Sequence, residues 1–383
     1  MKPYQLNIPT TVYYGRNIWK EALKEQKDRF AGSVMLVTTG RSLARLGYVE
    51  ELRQQIQKNT DAEKIIQFDS VSANPRLSEI KEGIRLGRME NVKTIIGFGG
   101  GSAIDAAKAI AAGIGEREEI ETLFYQGKEP GENTLPIIAI PTTAGTGSEL
   151  SKAAIITDEH NKKKKGIRGS ALYPKAAIVD AVFTETVPYT ITMETGFDVL
   201  AHGIETYLSR AATPFTKMQS EYAIRITGQS LSALSNDLHD TQARERMAFA
   251  SMIMGINLGN ASTCLPHRMQ YPLGAYTDTS HGVGLAALHP AWIKEEYNYV
   301  PGEIEKIMEL LTGRTIHGKE ACVETIRMFI KRIGLPACLS ELGIEKSLLK
   351  VMATEVEGNL KNDPAVQGEN GEILLKLYEA AWQ

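Results

Sequence analysis

The chain has 383 residues, of which 43% are hydrophobic and 23% charged, and its formal net charge is -3. This is the composition of a globular protein, and the length allows two domains with separate cores. The absence of a basic surplus excludes a nucleic-acid partner, and no apolar run of about 18 residues offers a membrane span. We therefore expect a cytoplasmic protein that acts on a small molecule, with no nucleic-acid or membrane partner.

Short apolar segments alternate with amphipathic patterns from residue 33 to about 180. Five of them are predicted as buried strands: SVMLVTTG, EKIIQFDSV, VKTIIGFGGG, LPIIAIPTT and AAIVDAVF. Such alternation predicts an α/β domain on a mostly parallel sheet. After Pro188 long helical patterns follow one another, as in TMETGFDVLAHGIETYLSR. We therefore predict an α/β domain over residues 1–185 and an all-α domain over residues 186–383.

A glycine-rich turn joins the third predicted strand to an alanine-rich helix. It consists of Gly99, Gly100, Gly101 and Ser102. Glycines let a ligand approach the backbone closely, and the following helix N-terminus offers free N–H groups to a pyrophosphate. The spaced-glycine Rossmann fingerprint is not matched, because Ser102 stands where a glycine is needed. A strand-to-helix turn without a ligand is the alternative.

A second polar turn, IPTTAGTGSE at residues 140–149, follows another apolar strand. Thr142, Thr143 and Thr146 can donate hydrogen bonds to phosphate, ribose or amide oxygens. Ligands of open α/β sheets bind at the carboxyl ends of strands, so two such turns from one sheet indicate a nucleotide site. The four lysines at 162–165 are expected to form a solvated turn, from which one lysine can reach a phosphate.

Four residues of the helical half suggest a metal site. Asp198 and His202 are four residues apart in a helical pattern, so both side chains leave one helix face. Apolar neighbours indicate that this helix is buried, where a carboxylate needs a partner, although a surface pair is the alternative. His267 and His281 would complete a set suited to a divalent metal. His289 is expected to be structural or to lie outside the ligand set.

Four motifs in this order resemble the iron-dependent, or group III, alcohol dehydrogenase family. They are GGGSAIDAAKAIA, PTTAGTGSE, TGFDVLAHGIETYLS, and PLGA followed by HG, and the resemblance covers nearly the whole chain. It implies a dehydroquinate synthase-like architecture, in which residues 1–185 bind a dinucleotide and residues 186–383 bind the metal and substrate, with a cleft between. The metal ligands matched by motif are Asp198, His202, His267 and His281.

The resemblance also implies a set of cofactor-binding residues. They are Asn74, Gly99, Gly100, Gly101, Ser102, Thr142, Thr143, Thr146 and Lys164, with Lys165 nearly as good a match as Lys164. Many relatives carry an acidic residue after the strand that begins near residue 33, where it holds the ribose 2′-hydroxyl. This chain has Thr39, Gly40, Arg41 and Ser42 there. Since no carboxylate repels a 2′-phosphate and Arg41 is close by, we expect NADP over NAD.

Two further residues are candidates for catalysis. Asp105 matches a residue that borders the nicotinamide in relatives. Tyr271 stands four residues after a predicted ligand, where relatives commonly have a histidine that relays protons. Tyrosine is a poorer base than histidine at neutral pH, so proton traffic or substrate shape should differ in this chain.

The predicted reaction is reversible hydride transfer between an alcohol carbon and a nicotinamide, with Fe²⁺ or Zn²⁺ at the substrate oxygen. One carboxylate and three imidazoles leave such a site positively charged, which favours an oxygen anion. Three alternatives stay open: a hydroxyacid–oxoacid transhydrogenase, whose members also have tyrosine at the position of Tyr271; a dehydroquinate synthase-like lyase; and a non-catalytic dinucleotide-binding protein. Because relatives often self-associate, we expect a homo-oligomer such as a homodimer.

Overall fold

The computed structural model describes residues 3–116, 119–368 and 372–383. The chain divides into two units. The first, called the α/β unit, comprises Ile8–Thr143 and Gly147–Thr186. The second, called the helical unit, comprises Met1–Asn7, Ala144–Thr146 and Val187–Gln383. No helix in the described part of the chain is long and apolar enough to cross a membrane.

The α/β unit is built on a parallel sheet flanked by helices. Its strands are β1 (Thr11–Tyr14), β2 (Gly32–Thr39), β3 (Ala62–Val71), β4 (Val92–Gly99), β5 (Ile137–Pro141), β6 (Ala153–Asp158), β7 (Lys163–Arg168) and β8 (Ala176–Val179). Its helices are α1 (Trp19–Glu25), α2 (Ser42–Arg45), α3 (Tyr48–Asn59), α4 (Leu77–Met89), α5 (Gly101–Gly115) and α6 (Ile120–Gln126). Six strands form the sheet in the order β1-β8-β5-β4-β2-β3, and β6 and β7 form an antiparallel hairpin.

Both faces of the sheet are buried, as the alternation along β4 shows. Ile95 lies in the apolar cluster that contains Ile80 of α4 and Ile110 of α5. Ile96, on the opposite face, lies in the cluster that contains Leu52 of α3. Strands buried on both sides read as continuous apolar runs, which is why five strands of the sheet were visible in the sequence.

The prediction of a solvated lysine turn is wrong for most of the run. Lys163, Lys164 and Lys165 lie on β7, paired with β6, and only Lys162, with a φ of +49°, precedes the strand. The hairpin forms because Ile156 of β6 and Ile167 of β7 are buried in the cluster that covers α5. The apolar partners that turn this polar segment into a strand lie outside the lysine run itself.

From Pro188 onward, where the sequence changes from apolar strand patterns to helical patterns, the helical unit consists of helices and their connections. Its helices are α7 (Tyr189–Leu208), α8 (Pro214–Leu234), α9 (Thr241–Asn260), α10 (Leu265–Thr277), α11 (His281–Glu296), α12 (Pro301–Thr312), α13 (Lys319–Arg332), α14 (Leu348–Thr354) and α15 (Glu372–Trp382). Every residue of α7 from Gly196 to Leu208 is buried. Polar side chains on this stretch therefore need partners inside the protein.

Candidate metal centre and cofactor site

One face of α7 carries three buried polar side chains. Asp198, His202 and Glu205 follow one another at intervals of four and three residues, which places them on the same side of the helix. They are 2%, 3% and 0% exposed. The sequence predicts the first two as metal ligands; Glu205 was not among the predicted residues, although its helical spacing from His202 places it on the same face.

The remaining two predicted ligands lie at the starts of α10 and α11. His267 lies in the first turn of α10, after Pro266, and His281 is the first residue of α11. Oδ1 of Asp198 lies 3.4 Å from Nε2 of His267 and 3.6 Å from Nε2 of His281. It also lies 3.6 Å from Nε2 of His202. The structure therefore brings all four residues together, each imidazole presenting the same ring nitrogen.

In His267 and His281, the second ring nitrogen, Nδ1, contacts a side-chain oxygen. Nδ1 of His267 lies 2.6 Å from Oε1 of Glu205, and Nδ1 of His281 lies 2.5 Å from Oε1 of Gln270. Glu205 Oε2 also accepts a hydrogen bond from the Cys264 N–H at the start of α10. Such partners fix ring orientation and leave Nε2 free to bind a metal. His289 lies outside the ligand cluster, with Nε2 3.6 Å from Glu205.

The protonation of the cluster suits a cation. Burial opposes ionisation of Asp198, but the neighbouring imidazoles hold its pKa well below the usual range. Burial lowers the pKa of His202 to about 4, so this ring is neutral. For His267 burial acts in the same direction, yet the carboxylates of Glu205 and Asp198 outweigh it and raise the pKa to about 10. The carboxylates of Asp198 and Glu205 therefore favour positive charge at this position.

A divalent metal fits the residues present. Asp198 Oδ1 and His267 Nε2 are buried and make no hydrogen bond with any residue that the structure describes. Ligand atoms of Asp198, His267 and His281 lie within 4.8 Å of one another. Buried polar atoms without partners are costly, and one carboxylate oxygen with imidazole nitrogens is a donor set that Fe²⁺ and Zn²⁺ accept.

In the α/β unit, the predicted cofactor residues gather at the carboxyl edge of the sheet. β2 and β4 are neighbours, but β2 leads outward to β3 while β4 leads to β5 on its other side. This reversal is the topological switch point, where open α/β sheets bind ligands. β2 ends at Thr39 and β4 at Gly99, and a Cβ on Gly99 would lie 3.6 Å from Thr39 Oγ1.

The glycine turn, Gly99 to Ser102, is in direct contact with residues 142–147, called here the threonine loop. The Thr142 N–H donates a hydrogen bond to the Gly99 carbonyl at 2.9 Å. A Cβ on Gly100 would lie 3.1 Å from Thr143 Oγ1, and a Cβ on Gly99 would lie 2.7 Å from Ala103 Cβ. Glycine is therefore required at position 99 by packing within the turn itself. Gly101 begins α5, which directs the helix N-terminus to this edge.

The other predicted cofactor-binding residues lie in different surroundings. Lys164 Nζ donates to Asn74 Oδ1 at 2.9 Å, so these two predicted residues are adjacent. Ser102 Oγ donates to the Ala73 carbonyl. Gly40 and Arg41 form an exposed turn after β2, with a φ of +54° at Gly40, and the exposed Ser42 begins α2. Thr146 is grouped with the helical unit, apart from the α/β residues.

The two catalytic candidates have distinct surroundings. Asp105 accepts hydrogen bonds from Ser148 Oγ at 2.5 Å and from the Ile155 N–H at 2.9 Å, so its carboxylate holds a neighbouring segment in place. Tyr271 lies one turn after His267 on α10. Its ring is 6.4 Å from that of His281, with 22° between the planes. Tyr271 is thus beside the predicted metal ligands.

A parallel sheet with a nucleotide-type edge and a helical unit with a buried carboxylate–imidazole cluster are the parts of a metal-dependent nicotinamide dehydrogenase. Comparison with known sequences identifies the family. Residues 9–181 match the model of the iron-containing alcohol dehydrogenases, and residues 192–382 match that of the family's C-terminal part. The chain belongs to the iron-containing alcohol dehydrogenase family.

The chain aligns with individual members of this family over all or nearly all of their length. The chain is 31% identical to 1,3-propanediol dehydrogenase of Klebsiella pneumoniae, covering 97% of both chains. It is 29% identical to NADH-dependent butanol dehydrogenase A of Clostridium acetobutylicum, covering 100% of both. The solved structure of NADH-dependent butanol dehydrogenase A from Thermotoga maritima superposes with a TM-score of 0.91 at 26% identity, over 100% of this chain and 99% of that one. The predicted family, fold class and alcohol/aldehyde oxidoreductase activity are confirmed.

Proposed function

We propose that this chain reduces aldehydes or oxidises alcohols with a nicotinamide cofactor at a divalent metal held by Asp198, His202, His267 and His281. One observation carries the assignment of the metal ligands: a single Asp198 oxygen lies 3.4–3.6 Å from Nε2 of three histidines. Fe²⁺ and Zn²⁺ both accept these donors, and the family favours iron. Self-association of the chain stays a prediction.

The chain's own residues prepare the site electrostatically. When bound, the divalent ion supplies Lewis-acid stabilisation of charge on the substrate oxygen, and the nicotinamide supplies the hydride acceptor. Glu205, held against His267, adds a second buried carboxylate to that of Asp198. The carboxylates of Asp198 and Glu205 together balance the charge of a divalent ion. This balance favours a neutral alcohol or aldehyde over an anionic substrate.

Metal analysis of anaerobically purified protein tests the ligand assignment. The wild type should contain about one iron or zinc per chain and reduce aldehydes, tried as short, branched, aromatic and acidic compounds. His267→Ala should lose metal and activity together, because three ligands bind the ion less tightly than four. His239→Ala, at an exposed position, is the matched control and should keep both. Full metal occupancy in His267→Ala would contradict the assignment.

The cofactor proposal concerns the exposed turn after β2. We place the adenosine ribose of the cofactor at Thr39 to Ser42 and infer that NADP is preferred. Two features support this: no carboxylate follows Thr39, and a Cβ on Gly40 would meet no atom within 4 Å, so the turn is open. Arg41 is exposed there and can pair with a 2′-phosphate.

Cofactor preference is measured as the ratio of kcat/KM for NADPH to kcat/KM for NADH. The wild-type ratio should exceed one. Thr39→Asp should reverse it by repelling the 2′-phosphate, and Arg41→Ala should lower it. Arg45→Ala, on α2 beyond the turn, serves as the control. A wild type that strongly prefers NADH would overturn the NADP preference while leaving the dehydrogenase assignment intact.

One alternative retains a specific observation in its favour. Tyr271, whose ring stacks beside His281, occupies the position at which hydroxyacid–oxoacid transhydrogenases have tyrosine. Such an enzyme would purify with a tightly bound cofactor and exchange hydride between two substrates without free NAD(P)H. Release of free cofactor at every turnover would exclude it.

A further inference from the structure

Lys108 is a fully buried lysine on α5, with 0% of its surface exposed. Its ammonium nitrogen lies within hydrogen-bond distance of five oxygens. Two belong to Ser148, the carbonyl at 2.6 Å and Oγ at 2.9 Å. Two belong to Ser151, the carbonyl at 2.9 Å and Oγ at 3.2 Å, and the fifth is the Ala153 carbonyl at 2.9 Å. The segment 148–153 is folded around this single cation.

Asp105, one turn earlier on α5, also hydrogen-bonds to this part of the chain. It accepts hydrogen bonds from Ser148 Oγ and from the Ile155 N–H. The helix therefore presents the Lys108 donor and the Asp105 acceptor to one stretch of chain, residues 148–155. Buried lysines are rare unless paired, so this arrangement has a structural cost that its contacts must offset.

The five oxygen acceptors favour the charged ammonium form of Lys108. Burial lowers the pKa of Lys108 to about 8, while the carboxylates of Asp105 and Glu149 act against that shift. A neutral amine would have fewer protons to donate to three inward-facing carbonyls. The charge therefore supports the folded form of the segment.

The segment 148–153 directly follows the threonine loop. At its other end this loop is tied to the glycine turn by the hydrogen bond from Thr142 to Gly99. Thr142 is tied to the end of β4 by this bond, and only residues 144–147 separate Thr143 from the segment around Lys108. Both anchors belong to one continuous stretch, β4 followed by α5.

We propose that Lys108 is a positioning residue for the nicotinamide cofactor: it orders the segment 148–153 and thereby holds Thr142 and Thr143 against the glycine turn. The inference rests on the proposed cofactor site. Lys108 is enclosed by protein oxygens and does not act on the reacting atoms. Its loss should weaken cofactor binding and spare the hydride-transfer step once the cofactor is bound.

The test is Lys108→Met, which keeps the length of the side chain and removes the charge. Binding of NADPH and NADH is measured by nicotinamide fluorescence, and KM and kcat by aldehyde reduction. We expect Kd and KM for the cofactor to rise about 10-fold or more with kcat changed less than about 2-fold at saturation, because uniform binding is lost. Metal content should be unchanged. Lys108→Arg, which keeps the cation, should recover part of the affinity.

The control is Ile110→Ala on the same helix. Ile110 is fully buried and packs where a Cβ on Gly83 of α4 would lie. It should lower the melting temperature without the rise in KM. An equal rise in both variants, or an unchanged Kd in Lys108→Met, would overturn the inference.

Two further results are decisive. Should Lys108→Met fail to fold, Ser151→Ala removes one hydroxyl acceptor of the ammonium and should raise the cofactor KM by a smaller factor; an unchanged KM there overturns the inference. A wild type that binds neither NADH nor NADPH overturns the proposed cofactor site and this inference with it. A wild type that binds cofactor normally, beside a Lys108→Met variant that does the same, overturns only the role of Lys108.

Discussion

The metal cluster and the cofactor edge are built in opposite ways. In the helical unit, chemistry comes from side chains: four donor groups converge, and Glu205 and Gln270 orient two of the rings. In the α/β unit, the edge at the switch point consists mostly of backbone, with glycines packed against the threonine loop. A site built from side chains can be recognised in the sequence by its residue types. A site built from backbone groups depends on the residues that hold the backbone in its conformation.

This difference determines which substitutions matter in each unit. In the metal cluster, replacing a residue that hydrogen-bonds to a ligand imidazole should weaken metal binding. At the cofactor edge, the decisive residues should be those without a side chain or those, such as Lys108, buried below the loop.

The largest effect is expected from Glu205→Gln. The amide keeps the shape of the side chain but loses the charge that holds His267, so metal affinity should fall by about 10- to 100-fold. Metal titration of the apoprotein measures this directly. Glu309→Gln, at an exposed position on α12, is the control and should bind metal as the wild type does. Undiminished affinity in Glu205→Gln would mean that ring orientation alone, without the charge, suffices.

The next effect is expected from Gly99→Ala in the α/β unit. Its Cβ would lie 2.7 Å from that of Ala103, so the glycine turn must shift. We expect a stability loss of about 1–3 kcal/mol, as for other overpacked sites, together with weaker NAD(P)H binding at unchanged metal content. Gly302→Ala, whose Cβ meets nothing within 4 Å, is the matched control. Normal cofactor affinity in Gly99→Ala would remove the turn from the cofactor site.

The sequence predicted the two sites unequally for the same physical reason. The pair Asp198 and His202 was visible because helical spacing alone places both on one face. Glu205 obeys the same spacing and was predictable, but its partner His267 is 62 residues away, beyond any local pattern. Sheet strands buried on both faces were readable as apolar runs, whereas the hairpin strand with the lysines depended on buried partners elsewhere in the unit.

Lys108 shows the limit most clearly. A lysine in a helix is usually solvated, and nothing in the residues around it indicates five oxygen acceptors from a segment about 40 positions later. Backbone carbonyls carry no sequence signature, because every residue has one. The support of a backbone-built site is therefore visible only in three dimensions.

A smaller effect is expected from Tyr271→Phe. The change removes one hydroxyl beside His281 and keeps the ring stacked there. If that hydroxyl donates a hydrogen bond to substrate, its loss costs about 1 kcal/mol, or about a five-fold drop in kcat/KM for the aldehyde. Metal content and cofactor Kd should not change, which separates this residue from the ligands and from the cofactor edge. Tyr276→Phe, further along α10, is the control. Equal activity in wild type and Tyr271→Phe would assign Tyr271 to substrate shape alone.

The pH dependence of stability tests whether buried carboxyl groups of the helical unit act only at the metal cluster. Glu296 on α11 is fully buried beside Asp363, which accepts hydrogen bonds from the Leu265 N–H at the start of α10 and from Trp292 Nε1. Burial and the Asp363 carboxylate raise the pKa of Glu296 to about 10, so the folded protein keeps this carboxyl protonated.

The sign of the effect follows from that shift. The unfolded chain releases the proton near the ordinary glutamate pKa of 4.5, whereas the folded chain retains it. The stabilising contribution is complete below that pH and declines as pH rises toward 10, by at most about 1.4 kcal/mol per pH unit. Glu296→Gln cannot ionise, so its melting temperature should fall less between pH 6 and pH 9 than that of the wild type or of Glu309→Gln. Parallel pH profiles would show that Glu296 is ionised in the folded protein.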